Sequence, residues 1–260
     1  MNGMDVAAPE TAQNLLAQCG HFSIRMAETP QEIRLAQQLR HRVFGGELHH
    51  LPDGNGLDQD EFDGQFRHLL VREERSGKTV GTYRIQSGAD AGDGRGFYSE
   101  SEYRIAGLEK IRRELWEVGR SCVDPEFRSG AVIALLWAGI AALQKKEAFR
   151  YLMGCVSIPG SLTREAWQFY RYWKRHGGVS DLLCGVARSG FECPDGESMP
   201  QEDLLPQEVM TPLLKGYLRA GAKIAGEPVL DRAFGTVDFL ILLDFGAMTD
   251  RYRRHFTGDK

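Results

Sequence analysis

The sequence predicts an α/β protein built on a mixed sheet flanked by helices, and three observations predict it. Helical and strand-like periods alternate along the 260 residues in the order helix, loop, hairpin, strand, central strand, long helix, strand, helix, strand. The stretch Leu115–Pro125 reads as a buried strand that carries Glu117 and Arg120 in an otherwise apolar setting. It leads through a short turn into a helical stripe made by Val132, Leu135, Leu136, Ile140 and Leu143. Glu117 and Arg120 are three positions apart, which in a regular strand puts them on opposite faces. Gly119 between them is the residue type that permits a bulge, and one extra residue there turns both side chains to a common face.

The elements follow in order. Residues 1–22 read as a flexible leader and 23–260 as a single domain, with a C-terminal helix and strand extension over about 207–256. Thr29-Pro30-Gln31-Glu32 combines a capping box with proline at the first helical position, so a helix starts there and runs to Phe44, where Gly45-Gly46 ends it. Leu35, Leu39 and Val43 form one apolar row of this helix, and Ile33, Ala36, Arg40 and Phe44 the next. Arg40 is either an arginine snorkelling at the edge of that face or a guanidinium held for a buried partner.

Residues 45–66 form a long loop rich in glycine and acid, in which Asp58, Asp60 and Asp63 are either solvated or placed to bind an amine or cation. A β-hairpin follows over His68–Glu74 and Thr79–Ser87, with Arg84 late in its second strand. Gly88–Gly96 reads as a loop, Phe97–Tyr103 as an aromatic strand edge and Leu108–Arg113 as a short helix. Beyond the central strand and the long helix, Arg150–Ile158 is a strand and Thr163–His176 a surface helix with its aromatics turned inward, or one whose face docks an acidic protein or lies at a lipid interface. Residues 190–206 are loop-rich, Leu213–Ile224 is a helix opened by Thr211-Pro212, and Phe234–Phe245 is a last buried strand before a small basic tail.

Composition narrows the function classes. A net charge of −4 argues against broad binding of nucleic acid. The five cysteines, Cys19, Cys122, Cys155, Cys184 and Cys193, show neither Cys-x-x-Cys pairing nor matching histidines, so no metal site is expected and a reducing compartment is. The N-terminus lacks a basic region followed by an apolar one, and the longest apolar run is too short for a span, so a cytoplasmic protein is expected. A strand that runs through a turn into a helix N-terminus, with an ionisable pair upstream, suits a phosphate-bearing acyl donor. Donor contacts are expected from Cys122, Val123, Arg128, Ser129, Gly130 and Ala131. The pyrophosphate cradle Arg/Gln-x-x-Gly-x-Gly/Ala is incomplete here, since Ala131 and Ile133 stand at its last two small positions, and a single phosphodiester demands less of the loop.

Several motifs in register over residues 24–256 carry a resemblance: Leu39–Phe44, Gly81–Ile85, Gly96–Glu102, Trp116–Val123 with Gly130–Ile133, Tyr151–Ser157, Leu213–Leu218 and Phe234–Phe239. Together they resemble the ornithine-lipid N-acyltransferases, a branch of the GNAT-like acyltransferases whose members sometimes carry the older label hemolysin-like. A more distant similarity is to the acyl-homoserine-lactone synthases, whose polar signature resembles Arg40 with Phe44, Asp60 with Asp63, Arg84, and Glu117 with Arg120.

The resemblance implies a GNAT-like fold and transfer of a 3-hydroxylated acyl chain from acyl carrier protein to the α-amine of L-ornithine, giving lyso-ornithine lipid. It implies no cofactor beyond the donor's phosphopantetheine arm. Glu117 is then the base for the amine, with a structural ion pair to Arg120 or Arg40 as the alternative. Asp60 and Asp63 would meet the cationic ends of the amino acid, and Arg84 or Arg40 its carboxylate. Acyl carrier protein is acidic, and Arg112, Arg113, Lys145, Lys146, Arg164, Arg171, Lys174 and Arg175 are basic groups that would meet it. An amphiphilic product implies peripheral contact with the inner membrane leaflet. Another amine acceptor, or a non-catalytic binding module of the same fold, are the alternatives.

Overall fold

The computed structural model describes residues 14–47, 55–128, 130–194 and 205–248. The chain enters the sheet as an antiparallel pair, β1 (Leu15–Cys19) and β2 (Phe22–Met26). The expected leader is therefore too long: residues from Leu15 onward belong to the sheet edge, and residues 1–13 lie outside the described residues.

Helix α1 (Pro30–Glu47) begins as its capping box requires, with Glu32 N–H donating to Thr29 Oγ1 at 3.2 Å and Glu32 Oε2 accepting from Thr29 N–H at 3.3 Å. It continues through Gly45 and Gly46 rather than stopping there. Its buried residues are Ala36, Gln37, Leu39, Arg40 and Val43, while Leu35 is exposed. The buried stripe therefore runs through Arg40 and away from Leu35.

β3 (Arg67–Glu73) and β4 (Lys78–Ser87) form the expected hairpin. The next two expectations fail. Gly88–Asp93 is a helix, α2, because Ser87 and Asp90 close a capping box. Ser99–Glu102 is one helical turn, α3, and only Tyr103–Ala106 is extended, as β5. α4 (Leu108–Ile111) passes through a tight turn, Arg112–Glu114, into β6 (Leu115–Val123). Then come α5 (Gly130–Glu147), β7 (Tyr151–Pro159) and α6 (Thr163–Arg175), whose Phe169 and Tyr170 are buried. β8 (Cys184–Ala187) has no strand period in the sequence and pairs with β5 as a separate ribbon. α7 spans Pro212–Ala220, shorter than expected, because Gly221 at φ 98° ends it and Lys223–Ile224 is strand β9. β10 (Val229–Asp231) and β11 (Thr236–Asp244) close the sheet.

The main sheet runs β1-β2-β3-β4-β6-β7-β11-β10, with β9 on β11. Among its ladders the β6–β7 pair is parallel, and it is short: Leu115↔Tyr151, Trp116↔Leu152 and Glu117↔Met153 are the paired positions. Beyond Glu117 the two strands diverge. Gly154 sits where they part, and a Cβ there would overlap the Val118 carbonyl oxygen. Past the last rung Gly119, Arg120 and Ser121 on β6 and Cys155 and Ser157 on β7 are at least partly exposed, so a cleft opens between the strands.

One face of the sheet carries Tyr83, Ile85, Trp116 and Val118 and packs against α5, α6 and α7 through residues such as Val132, Leu136, Phe169 and Leu214. On the other face α1 covers one end, where Leu39 and Val43 meet Cys122. The β5–β8 ribbon covers the other end through Phe97, Tyr103, Leu115 and Met153. The polar groups lie between these two covers.

Candidate active site

A β-bulge organises the site, as the sequence predicts. Arg84 pairs with Gly119 and Thr82 with Cys122, so β6 spends one more residue than β4 between these rungs. The left-handed residue is Arg120, at φ 52°, and not Gly119, whose absent Cβ would have met nothing closer than Arg84 Nε at 3.9 Å. A non-glycine residue held in that region costs about 1–2 kcal/mol. The consequence is the expected one: Glu117, Gly119 and Cys122 lie opposite Gln86, Arg84 and Thr82, and Arg120, in the bulge, turns to the same face, where it and Arg84 both reach Asp60.

Three guanidiniums and three carboxylates interlock there. Arg40 Nε donates to Asp58 Oδ1 at 3.1 Å and Arg40 Nη2 to Asp63 Oδ2 at 2.6 Å. Arg84 Nη1 donates to Asp60 Oδ1 at 2.6 Å and to Asp63 Oδ1 at 3.0 Å. Arg120 Nη2 donates to Asp60 Oδ2 at 2.9 Å, and its Nη1 lies 3.9 Å from Asp58 Oδ2. Gln37 Nε2 adds a bond to Asp63 at 3.0 Å. Arg40 has the buried partner that was one of its two readings, and Asp58 belongs to the cluster with Asp60 and Asp63.

Burial alone raises the pKa of Asp60 and of Asp63. Arg84 and Arg120 outweigh it at Asp60, and Arg40 and Arg84 at Asp63, so both carboxyls sit below the usual range. Burial keeps His68, beside the Asp63 carbonyl, below its ordinary value. Aromatic rings wall the cations: Arg84 lies over Phe66 and Tyr98, and Arg120 over Phe234 and Tyr98 at 4.3 and 5.4 Å. Phe44 reaches the site through its edge contact with Phe234. Asp60 and Arg120 are the members that reach solvent, with side chains 20% and 11% exposed.

Glu117 pairs with neither Arg120 nor Arg40, so its expected structural alternative is corrected. Its Oε2 accepts from Gln86 Nε2 at 2.8 Å and Tyr98 N–H at 2.7 Å, and its Oε1 from Ser99 N–H at 2.7 Å and Ser99 Oγ at 2.6 Å. The carboxylate is 1% exposed, and burial raises its pKa against the pull of Ser99, Gln86 and Tyr98. It holds the turn of α3 against β6, which explains why Phe97–Glu102 is not a strand.

The expected donor residues lie along the exit of β6. Cys122 is buried against α1 and burial pushes its thiol up, and Val123 ends the strand opposite Gly81. Arg128 bonds to Glu47 and to the Val123 carbonyl. Gly130 opens α5, Ala131 packs on the core, and Ser129 lies outside the described residues. A cavity of about 640 Å³ lies beside this turn, lined by residues including Arg42, Lys78, Asp124 and Glu126. Glu117 is not among its walls.

A second acidic group was not foreseen as a site. Glu102, Asp231 and Asp238 bring carboxylate oxygens within 4.8 Å of one another, all three buried. The signal for it was an aspartate inside the apolar run of β11, matched to Ser157 on β7. Ser99 links the two acidic centres, since its hydroxyl meets Glu117 and also Cys155 Sγ at 3.5 Å.

Splayed parallel strands, a bulge facing them and a helix N-terminus at the strand exit define an acyltransferase of the GNAT type. Residues 39–138 match the acetyltransferase (GNAT) domain family. The chain is 32% identical to the L-ornithine N(alpha)-acyltransferase of Brucella abortus (strain 2308), over 98% of this chain and 97% of that protein. It is 33% identical to the protein of the same name from Rhizobium meliloti (strain 1021), over 98% and 90%. The protein belongs to the L-ornithine N(alpha)-acyltransferase family. Among solved structures it shares the fold of FeeM, an N-acyl amino acid synthase from uncultured soil microbes, at a TM-score of 0.51 and 13% identity over 87% of this chain and 93% of that one. The AHL synthase LasI matches at a TM-score of 0.50 and 10% identity, over 92% and 95%.

Proposed function

We propose that this protein transfers a 3-hydroxyacyl chain from acyl carrier protein to the α-amine of L-ornithine and so makes lyso-ornithine lipid. The observation that carries the reading is the cleft beyond the Glu117↔Met153 rung, flanked by the bulge and leading to the α5 N-terminus, in a chain whose relatives are named L-ornithine N(alpha)-acyltransferases. An extended phosphopantetheine arm fits such a cleft as an additional strand would, and its one phosphodiester asks little of the loop at Arg128–Ala131. Exposed Lys145 and Lys146 in the last turn of α5, and Arg164, Lys174 and Arg175 on α6, supply positive charge for an acidic carrier.

The amine must lose a proton before it attacks the thioester carbonyl. Glu117 has four donors on it already, so we assign it the proton through Ser99: the hydroxyl accepts from the amine as it gives its own proton to the carboxylate. The second amine proton leaves with the departing thiolate. Main-chain N–H groups at the bulge would hold the developing oxyanion. Transfer is direct: burial raises both the Cys122 and the Cys155 thiols, which makes each a poor nucleophile. Arg120, partly exposed and with Nε unpartnered among the described residues, is assigned to the acceptor's carboxylate. Peripheral contact with the inner leaflet follows from an amphiphilic product.

Purified protein is incubated with labelled 3-hydroxyacyl carrier protein and, separately, ornithine, lysine, glycine, glutamine and tyrosine. An N-acylated product is expected with ornithine. Product with none of the five would end the enzymatic reading, and product with another alone would replace the acceptor.

A further inference from the structure

Glu102, Asp231 and Asp238 play no part in the chemistry above, yet their arrangement is costly. Glu102 is 1% exposed, and although Cys155 and Tyr98 lie close enough to lower its pKa, neither carboxylate oxygen accepts a hydrogen bond of good geometry among the described residues. Asp238 is 4% exposed, and its Oδ1 likewise has none. Thr236 Oγ1, two residues away on the same face of β11 and 1% exposed, also lacks a hydrogen bond of good geometry, though it lies close enough to Asp238 to lower that carboxyl's pKa. Asp231 is better placed, since its Oδ1 accepts from the N–H groups of Ala233 and Phe234. A buried carboxylate left without a partner is destabilising, and a group of them persists where a cation completes it.

The group also lies next to the cleft. Asp238 faces Ser157 on β7, which is exposed there, and Glu102 closes the same α3 turn that Glu117 holds. Arg120, the residue assigned to the acceptor's carboxylate, is close enough to act on Asp238. A guanidinium that suits an anion and an acidic group that suits a cation thus stand within electrostatic reach of one another.

We infer that Glu102, Asp231 and Asp238 form the subsite for the side-chain ammonium of a diamino-acid acceptor. The inference rests on the acceptor reading above and adds how that acceptor is chosen. An ammonium has three N–H donors to share and no acceptor, which matches three carboxylates converging within 4.8 Å. A hard divalent cation wants six or more oxygens, more than the one oxygen each that these three buried carboxylates bring together. The subsite also settles which nitrogen reacts. The side-chain amine is the more basic of the two, so it is held as a cation without a lone pair, while the α-amine, the more readily deprotonated, is left at Ser99.

The test compares L-ornithine with L-norvaline, which has the same carbon chain without the terminal amine, in wild type, Glu102→Gln and Asp238→Asn. Wild type is expected to favour ornithine in kcat/KM by at least about 30-fold. Both variants are expected to lose most of that preference through a raised KM for ornithine, with norvaline little affected, and to fold with an unchanged or higher Tm. If wild type uses the two acceptors equally, or if the variants keep the preference, the subsite is refuted while acyl transfer to ornithine stands. Loss of activity on dialysis against a chelator, restored by Mn²⁺, would replace the ammonium with a metal ion. If wild type acylates neither, the acceptor reading has failed, and calorimetric titration of each amino acid without donor decides the subsite alone: failure to bind ornithine more tightly than norvaline overturns it.

Discussion

Arg40 and Glu117 are both polar residues in apolar surroundings, and the sequence marked both. What it left open was the partner. Arg40 lies on the buried stripe of α1, but its carboxylates come from a loop 18 and 23 residues further on, and no periodicity reports where a loop returns. Glu117 has Arg120 as its ionisable neighbour in the strand, whereas its donors are Gln86 and the turn at Tyr98–Ser99. Removing Arg40 leaves Asp58 and Asp63 buried without their main cation, so Arg40→Ala is expected to cost about 3–5 kcal/mol in urea unfolding. Ser99→Ala tests the relay: it keeps the backbone bond to Glu117, so Tm should fall little, while kcat falls by about 10²-fold or more. A variant that lost stability and rate in proportion would make Ser99 a packing residue. Because burial holds the Glu117 pKa up, the acid limb of the wild-type kcat/KM profile should lie above the ordinary carboxylate range, with rate lost as pH falls through it.

At the level of elements, hydrophobic period and caps identified most of the helices and the strands of the main sheet. The failures share a cause. Phe97–Glu102 has the aromatic content of a strand, but Glu117 captures its main-chain N–H groups and winds it into a turn, a tertiary preference no local pattern carries. β8 is four residues, half exposed, and exists because β5 offers it an edge. The bulge was legible from Glu117-x-x-Arg120 around a glycine, though the left-handed residue proved to be Arg120, held there by Asp60 and two rings. Gly154 carries more weight than its place in an apolar strand suggested. Gly154→Ala forces a methyl against the Val118 carbonyl where the strands part, and is expected to cost about 1–3 kcal/mol and to impair donor binding more than acceptor binding. Equal effects on both KM values would dissociate the close approach from the donor cleft.

Across the whole molecule two buried acidic groups pull stability in opposite directions with pH, and the difference is measurable. Asp60 and Asp63 have folded pKa values below their unfolded ones, so the stability they contribute is present above about pH 4 and is lost as pH falls further. Asp238 is the reverse. Burial, reinforced by Asp231 and opposed by Ser157, Thr236 and Arg120, raises its pKa to about 6. Burial raises Glu102 as well, with Asp238 and Asp231 adding to it and Cys155 and Tyr98 opposing. A raised acid binds its proton more tightly folded than unfolded, so its penalty is full above about pH 6 and fades as pH falls toward about 4. His68, with a lowered pKa, slopes the other way in part of that range, so the wild-type curve alone cannot assign the effect. The difference between Asp238→Asn and wild type can. The variant is expected to melt higher at pH 8, at about 2–4 °C for each kcal/mol recovered, with the gain shrinking to near zero by pH 4. Excess ornithine at pH 8 should raise the wild-type Tm and leave the variant nearly unmoved, since its cation subsite has lost a charge. A gain independent of pH would mean that Asp238 is destabilising for reasons of shape, and the charge at the heart of the proposed subsite would be without consequence.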